Sequence, residues 1–219
     1  YMKLFLTSSG ITNKTLSESL LLLLGKPFVQ SHITFIPTAA NIEKGQKSWL
    51  VNDMNNIKKL GFLTFDIIDI AIAPKEIWQP SFEKADLLVF GGGSQPYLLE
   101  RMKKSGVSSV LNDLLNNKVY MGISAGSMVT AKTMSLSNEN ILFYEQTGVL
   151  RSVNGLGLVD FEIRPHLNSD NFPKVRLPLL QKIASETGTP FYAIDDDTAV
   201  QVIGTKVSVV SEGKWKKFN

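Results

Sequence analysis

Short apolar runs alternate with longer amphipathic stretches along this 219-residue chain. KLFLTS (3–8), HITFIP (32–37), FDIID (65–69), DLLVFGGG (86–93) and KVYMGIS (118–124) each hold a block of apolar or β-branched residues that ends in turn formers. Continuous apolar runs of this length predict strands buried on both faces, the habit of a parallel sheet. Between them the spacing is helical: Thr15–Leu24, Gln46–Leu60 with Trp49, Met54, Ile57 and Leu60 on one face, Pro96–Lys103, and Val107–Asn116. Strand–helix alternation predicts an α/β fold, a doubly wound, mostly parallel sheet with right-handed crossovers. The last third changes character. FYAID, TAVQVIG and KVSVVSEGKWKKF are strands at short spacing, with Gly213 in a predicted hairpin turn. They read as antiparallel C-terminal edge strands on the same sheet. No linker, repeat or low-complexity tract interrupts the pattern, so residues 2–219 are expected to form a single domain, with Tyr1 before Met2 set aside.

Composition narrows the function classes. Cysteine is absent, which removes disulfides, thiolate metal sites and a cysteine nucleophile, and fits a cytoplasmic protein. The opening residues turn polar after Leu6, and the leucine run 20–24 is far shorter than the roughly 20 apolar residues of a membrane span. Neither an export signal nor a membrane partner is expected. The formal charge is +3, and the basic stretch GKWKKFN is too short for a nucleic-acid footprint. A monomer or homodimer acting on small molecules is the expectation.

In such a sheet, ligands bind at the carboxyl ends of the strands. Three groups fall there: Ser8 to Gly10, the glycines Gly91, Gly92 and Gly93, and Ser124. Ser124 lies in Gly-Ile-Ser-Ala-Gly between a strand and the helical pattern AGSMVTAKTM. Strand, sharp turn, helix is the setting of a nucleophile elbow, in which flanking glycines clear space around a strained serine. The competing reading is a serine that caps a helix. A nucleophilic serine needs a base, and there are two histidines. His32 opens a buried strand at its amino end and reads as structural. His166, in FEIRPHLNS, follows a short strand and a proline, and its loop can reach a cleft. Many carboxylates could orient it: Glu139, Glu145, Glu162 and the run Asp195, Asp196, Asp197, among which spacing does not choose. That run lacks the spaced oxygens of a calcium loop, and no metal is expected. Gly92, Gly93 and the N–H of Ala125 are candidate oxyanion donors. FGGGSQ matches neither dinucleotide nor P-loop glycine patterns.

FGGGSQPYLLERM, GISAGSM and GLGLVDFEIRPHLNS, in this order between Asp86 and Ser169, resemble the dipeptidase E and cyanophycinase family of serine peptidases. The resemblance implies a class I glutamine-amidotransferase-like fold with serine in place of cysteine. It makes Ser124 the nucleophile, His166 the base and, from the segment LSNEN, Glu139 the acid, a glutamate where the family carries aspartate. Asp195, Asp196 and Asp197 remain the alternative acids. Ser94 stands where the family usually has asparagine, and is a candidate substrate contact. The family's aspartyl and β-aspartyl substrates call for a cation. Of the four arginines (Arg101, Arg151, Arg164 and Arg176), Arg164 is nearest to His166 in sequence. The expected activity is hydrolysis of short peptides through an acyl-enzyme, with no metal or organic cofactor. The rivals are an α/β-hydrolase-type esterase and a binding protein that keeps the cleft without the chemistry.

Overall fold

The structure, a computed structural model, describes residues 1–143 and 152–219, leaving aside the side chains of Leu136, Ser137 and Glu139. The strands are β1 (Lys3–Thr7), β2 (His32–Ile36), β3 (Thr64–Ile67), β4 (Leu87–Phe90), β5 (Val119–Ile123), β6 (Thr133–Ser135), β7 (Ser152–Asn154), β8 (Glu162–Arg164), β9 (Phe191–Ile194), β10 (Thr198–Ile203), β11 (Lys206–Ser211) and β12 (Trp215–Phe218). The helices are α1 (Lys14–Leu24), α2 (Ser48–Lys58), α3 (Lys75–Lys84), α4 (Gln95–Lys104), α5 (Val107–Leu114), α6 (Ala125–Met128), α7 (Leu136–Phe143) and α8 (Leu177–Thr187).

The strands of the main sheet run in the order β11-β10-β1-β5-β4-β2-β3, with β1 to β5 parallel and β10 and β11 antiparallel at one edge. Alternate residues of each strand feed opposite cores, as the pleat requires. Leu88, Phe90 and Tyr120 pack with Trp78, Phe82, Leu98 and Met102 on one face. Leu87, Val89, Val119 and Met121 pack with Leu16, Leu20 and Ile57 on the other. That two-sided burial explains why the strands read as unbroken apolar runs.

Two expectations about the last third change. Only β10 and β11 extend the main sheet. β9 and β12 pair with each other and, through β8, make a separate three-stranded sheet that packs on α8. Gly213 is therefore in no hairpin: it lies in the link that carries the chain from the main sheet to the smaller one, pressed against the Asp195 carboxylate. The helical reading of AGSMVTAKTM also shortens. α6 is a single turn, and the chain enters β6 at Thr133. Among the described residues no helix is long and apolar enough to cross a membrane.

Candidate active site

β1, β5 and β4 are neighbours in the main sheet, and their carboxyl ends deliver Ser8, Ser124 and the Gly91–Gly93 turn to one place. Ser124 sits at φ 47°, ψ −107°, a backbone that a residue with a Cβ rarely adopts. The surroundings impose it. The Ser124 N–H donates to the Thr7 carbonyl at 3.1 Å, and the Tyr120 hydroxyl donates to the Gly126 carbonyl at 2.6 Å. A Cβ on Gly126 would run into the Phe90 carbonyl oxygen, and one on Gly122 into the backbone of Gly126 and Ser127. Both glycines are thus demanded by close backbone approach, as the elbow reading expects.

The helix-cap reading of Ser124 fails, because its hydroxyl caps nothing. Ser124 Oγ lies 2.9 Å from His166 Nε2 instead. His166 is itself in left-handed backbone at φ 64°, with its N–H donating to Ser8 Oγ at 2.8 Å and the Phe172 ring stacked on it at 4.4 Å between centroids. On the far side of the imidazole, Nδ1 is 2.8 Å from Asp196 Oδ1. Ser8 Oγ donates to that same carboxylate oxygen at 2.6 Å. Burial works against the Asp196 charge, but the hydrogen bonds from His166, Ser8 and Ser9 and the His166 charge outweigh it, holding the carboxyl down at about 2. An ionised carboxylate on Nδ1 selects the tautomer with Nδ1 protonated, leaving the Nε2 lone pair for the Ser124 hydroxyl.

Among the described residues, the carboxylate that meets His166 Nδ1 is therefore Asp196, one of the alternative acids. Nδ1 carries one N–H, and Asp196 takes it. Glu139 belongs to α7, and its side chain lies outside the described residues, as do Glu145 and Arg151. The neighbouring aspartates do other work. Asp195 closes the β9–β10 turn, accepting from the Thr198 hydroxyl at 2.7 Å and from the Lys214 N–H. Asp197 faces Asn13 on the surface.

Arg164 is not among the described residues that line the cleft. It is 1% exposed, ion-paired with Glu162 two residues earlier on β8, with its guanidinium over the Phe191 ring. The left-handed turn at His166 ends the strand, so nearness in sequence does not bring Arg164 to the base. Glu162, another of the candidate carboxylates, is likewise buried in that pair. Ser94 lines the cleft and also caps α4, its Oγ accepting from the Tyr97 N–H at 3.4 Å. His32 lies away from the cleft, its Nδ1 2.8 Å from the Thr64 hydroxyl.

The cleft above Ser124 has a volume of about 1130 Å³. Its walls include Ser9, Trp49, Asp53, Gly92, Tyr97, Phe143, Phe172 and Asp196. Gly92 abuts Ser124: a Cβ built on it would sit 3.5 Å from Ser124 Cβ and 3.5 Å from the Trp49 ring. Ala125, which follows Ser124, is the first residue of α6. α6 is one turn long, so it offers individual N–H groups and no long helix dipole. Among the described residues, no three His, Asp or Glu side chains gather to hold a metal ion.

Residues 4–210 match the model of peptidase family S51. The chain belongs to that family. Membership makes it a peptidase, of serine type. An uncharacterized peptidase of Pasteurella multocida is 30% identical over 173 residues, covering 78% of this chain and 80% of that one. A Peptidase E of Nostoc is 28% identical over 142 residues, covering 64% and 54%. Among solved structures, a proposed Peptidase E protein from Listeria monocytogenes superposes with a TM-score of 0.77 at 25% identity, over 97% of this chain and 99% of that one. A peptidase from an acI-B1 actinobacterium, at 23% identity and TM-score 0.69, shares the fold over 98% and 89%. The S51 chain thus has a mixed α/β architecture common to Peptidase E-like proteins.

Asp53, on α2, is a cleft residue that the sequence pattern hides among helix-face residues. Burial, and then the negative charge of Asp196, push its carboxyl up to about 7. The folded value lies above the ordinary 3.8, so as pH rises the folded chain keeps a proton that the unfolded chain has released. Stability therefore falls between those two values. Asp53→Asn is expected to raise stability at pH 8 by about 2 kcal/mol, or roughly 4–8 °C in Tm. The gain should vanish near pH 4, and thermal melts at the two pH values check it.

Proposed function

We propose that this S51 peptidase hydrolyses short peptides through an acyl-enzyme formed on Ser124. One observation carries the reading: Ser124 Oγ is 2.9 Å from an imidazole nitrogen whose partner nitrogen is 2.8 Å from an ionised aspartate. His166 takes the Ser124 proton as the hydroxyl attacks the peptide carbonyl. The N–H groups of Gly92, Gly93 and Ala125 receive the developing oxyanion. His166 then gives the proton to the leaving amine. Water, deprotonated by the same imidazole, attacks the ester and frees Ser124. Asp196 stays ionised throughout and stabilises the imidazolium that forms at each stage.

The chain order Ser, His, Asp differs from the Ser, acid, His order of α/β-hydrolases, which disfavours the esterase rival. Aspartyl or β-aspartyl preference would need a cation in the cleft. Of the described arginines, Arg164 is buried with Glu162, Arg101 pairs with Glu100, and Arg176 is held by the Ser169, Phe172 and Val175 carbonyls. Lys44, exposed at the rim, is the basic side chain that lines the cleft among the described residues.

The test is amino-acid release from a panel of aspartyl, β-aspartyl and neutral dipeptides, run beside labelling by a fluorophosphonate. Turnover with labelling of Ser124 is the expected result. Labelling without turnover of any dipeptide would reject the short-peptide substrate while keeping the nucleophile. Silence in both would leave a binding protein.

A further inference from the structure

Asp53 is a half-buried carboxylic acid of the cleft that the acyl-enzyme chemistry does not use. It lines the same cavity as Ser124 and His166, and its Oδ1 lies beside Gly10 in the loop that carries Ser8 and Ser9. Among the described residues, its carboxylate makes no hydrogen bond and no ion pair. A half-buried carboxylate in that state is costly, and a helix face packed with apolar residues would be steadier without it. Trp49, one turn earlier on α2, lines the same wall and reaches Gly92 beside Ser124. The wall thus offers an apolar ring and, next to it, a carboxylate that lacks a counter-charge.

The surrounding charge decides which partner fits. Asp196 stands near Asp53, and Glu43 and Glu100 also line the cleft, with Glu100 tied to Lys104 and Arg101. Against these, Lys44 is the one basic residue on the wall among the described residues, and it is exposed. An anionic group placed against Asp53 would face two carboxylates. A cation would meet a carboxylate that is free to accept its hydrogen bonds and an aromatic ring beside it. Taking the acyl-enzyme reading as its basis, we infer that Asp53 anchors a primary ammonium group of the substrate, so that the cleft selects peptides carrying a free amine close to the scissile bond. Such an amine is either the peptide's own amino terminus or the end of a basic side chain. Anchoring the amino terminus would confine cleavage to the first bond of a peptide.

Binding to the Ser124→Ala protein tests this without turnover. Alanyl-alanine, N-acetyl-alanyl-alanine and N-acetyl-lysyl-alanine are titrated by calorimetry into Ser124→Ala and into the double variant Ser124→Ala with Asp53→Asn. Alanyl-alanine is expected to bind at least about tenfold more tightly than its acetylated form, and Asp53→Asn to erase that difference. If N-acetyl-lysyl-alanine binds as tightly as alanyl-alanine and loses its affinity in the double variant, the anchored amine is that of the side chain. Equal affinities in the two proteins, or no binding of any of the three peptides, would overturn the assignment. The acyl-enzyme reading fails by a separate readout, absence of fluorophosphonate labelling in the wild type.

Discussion

Ser124→Ala is expected to lower dipeptide hydrolysis by at least about 10³-fold and to abolish fluorophosphonate labelling. The loss should fall on kcat, because the hydroxyl that attacks the carbonyl contributes little to holding the peptide. The same position allows a stability test. Alanine keeps a Cβ and therefore keeps the cost of φ 47° at this turn. Glycine has no such cost. Ser124→Gly should be as inactive as Ser124→Ala yet more stable than wild type by about 1 kcal/mol, read from thermal melts. Equal melting of the two variants would mean that the turn stores no strain. Activity surviving in Ser124→Ala would end the nucleophile assignment.

Asp196→Asn is the second large effect. Asparagine preserves shape but removes the charge that selects the His166 tautomer and stabilises the imidazolium. A fall in kcat of about 10²–10⁴-fold is expected, with KM changed little. Glu139→Ala, carried in parallel, should leave kcat near wild type. The reverse pattern would restore Glu139 as the acid. Asp196 also marks the acid limb of stability. Its folded value near 2 lies below the ordinary 3.8, so its contribution is present above that ordinary value and is lost as pH falls through the interval. Melts between pH 5 and about pH 2 should show a part of the acid destabilisation that is missing in Asp196→Asn.

The architecture was readable because burial on both faces writes the parallel strands as unbroken apolar runs, and because the amphipathic stretches between them keep one period. α3 escaped notice since Pro80 lies inside it, and an interior proline normally ends a helix. Packing of Trp78 and Phe82, one turn apart, offsets that here. Ser124 and His166 were legible for local reasons: glycines at fixed spacing, and a scarcity of histidines. The acid was not. Three adjacent aspartates become distinct only once the chain leaves the smaller sheet for the main one, which turns Asp195 toward Lys214, Asp196 toward His166 and Asp197 toward Asn13. Arg164 is close to His166 in sequence yet outside the cleft lining, because the strand ends where His166 turns left-handed. Ser8 had the right location, the end of β1, but nothing in KLFLTS signals a hydroxyl shared between a backbone N–H and a carboxylate. Asp53 had one usable sign, an acid one turn from Trp49 on an otherwise core-facing helix side.

The three proposed reacting residues are divided between two bodies of secondary structure. Ser124 ends a strand of the main sheet, His166 follows β8 of the smaller one, and Asp196 lies on the crossing between β9 and β10. Hydrogen-bonded contact at 2.9 and 2.8 Å survives only while the two sheets stay docked. Local opening of the three-stranded sheet, which has fewer strands, would pull the imidazole off the serine even with the seven-stranded sheet intact. A chain that loosens at that docking is expected to lose hydrolysis while its seven-stranded sheet is still folded.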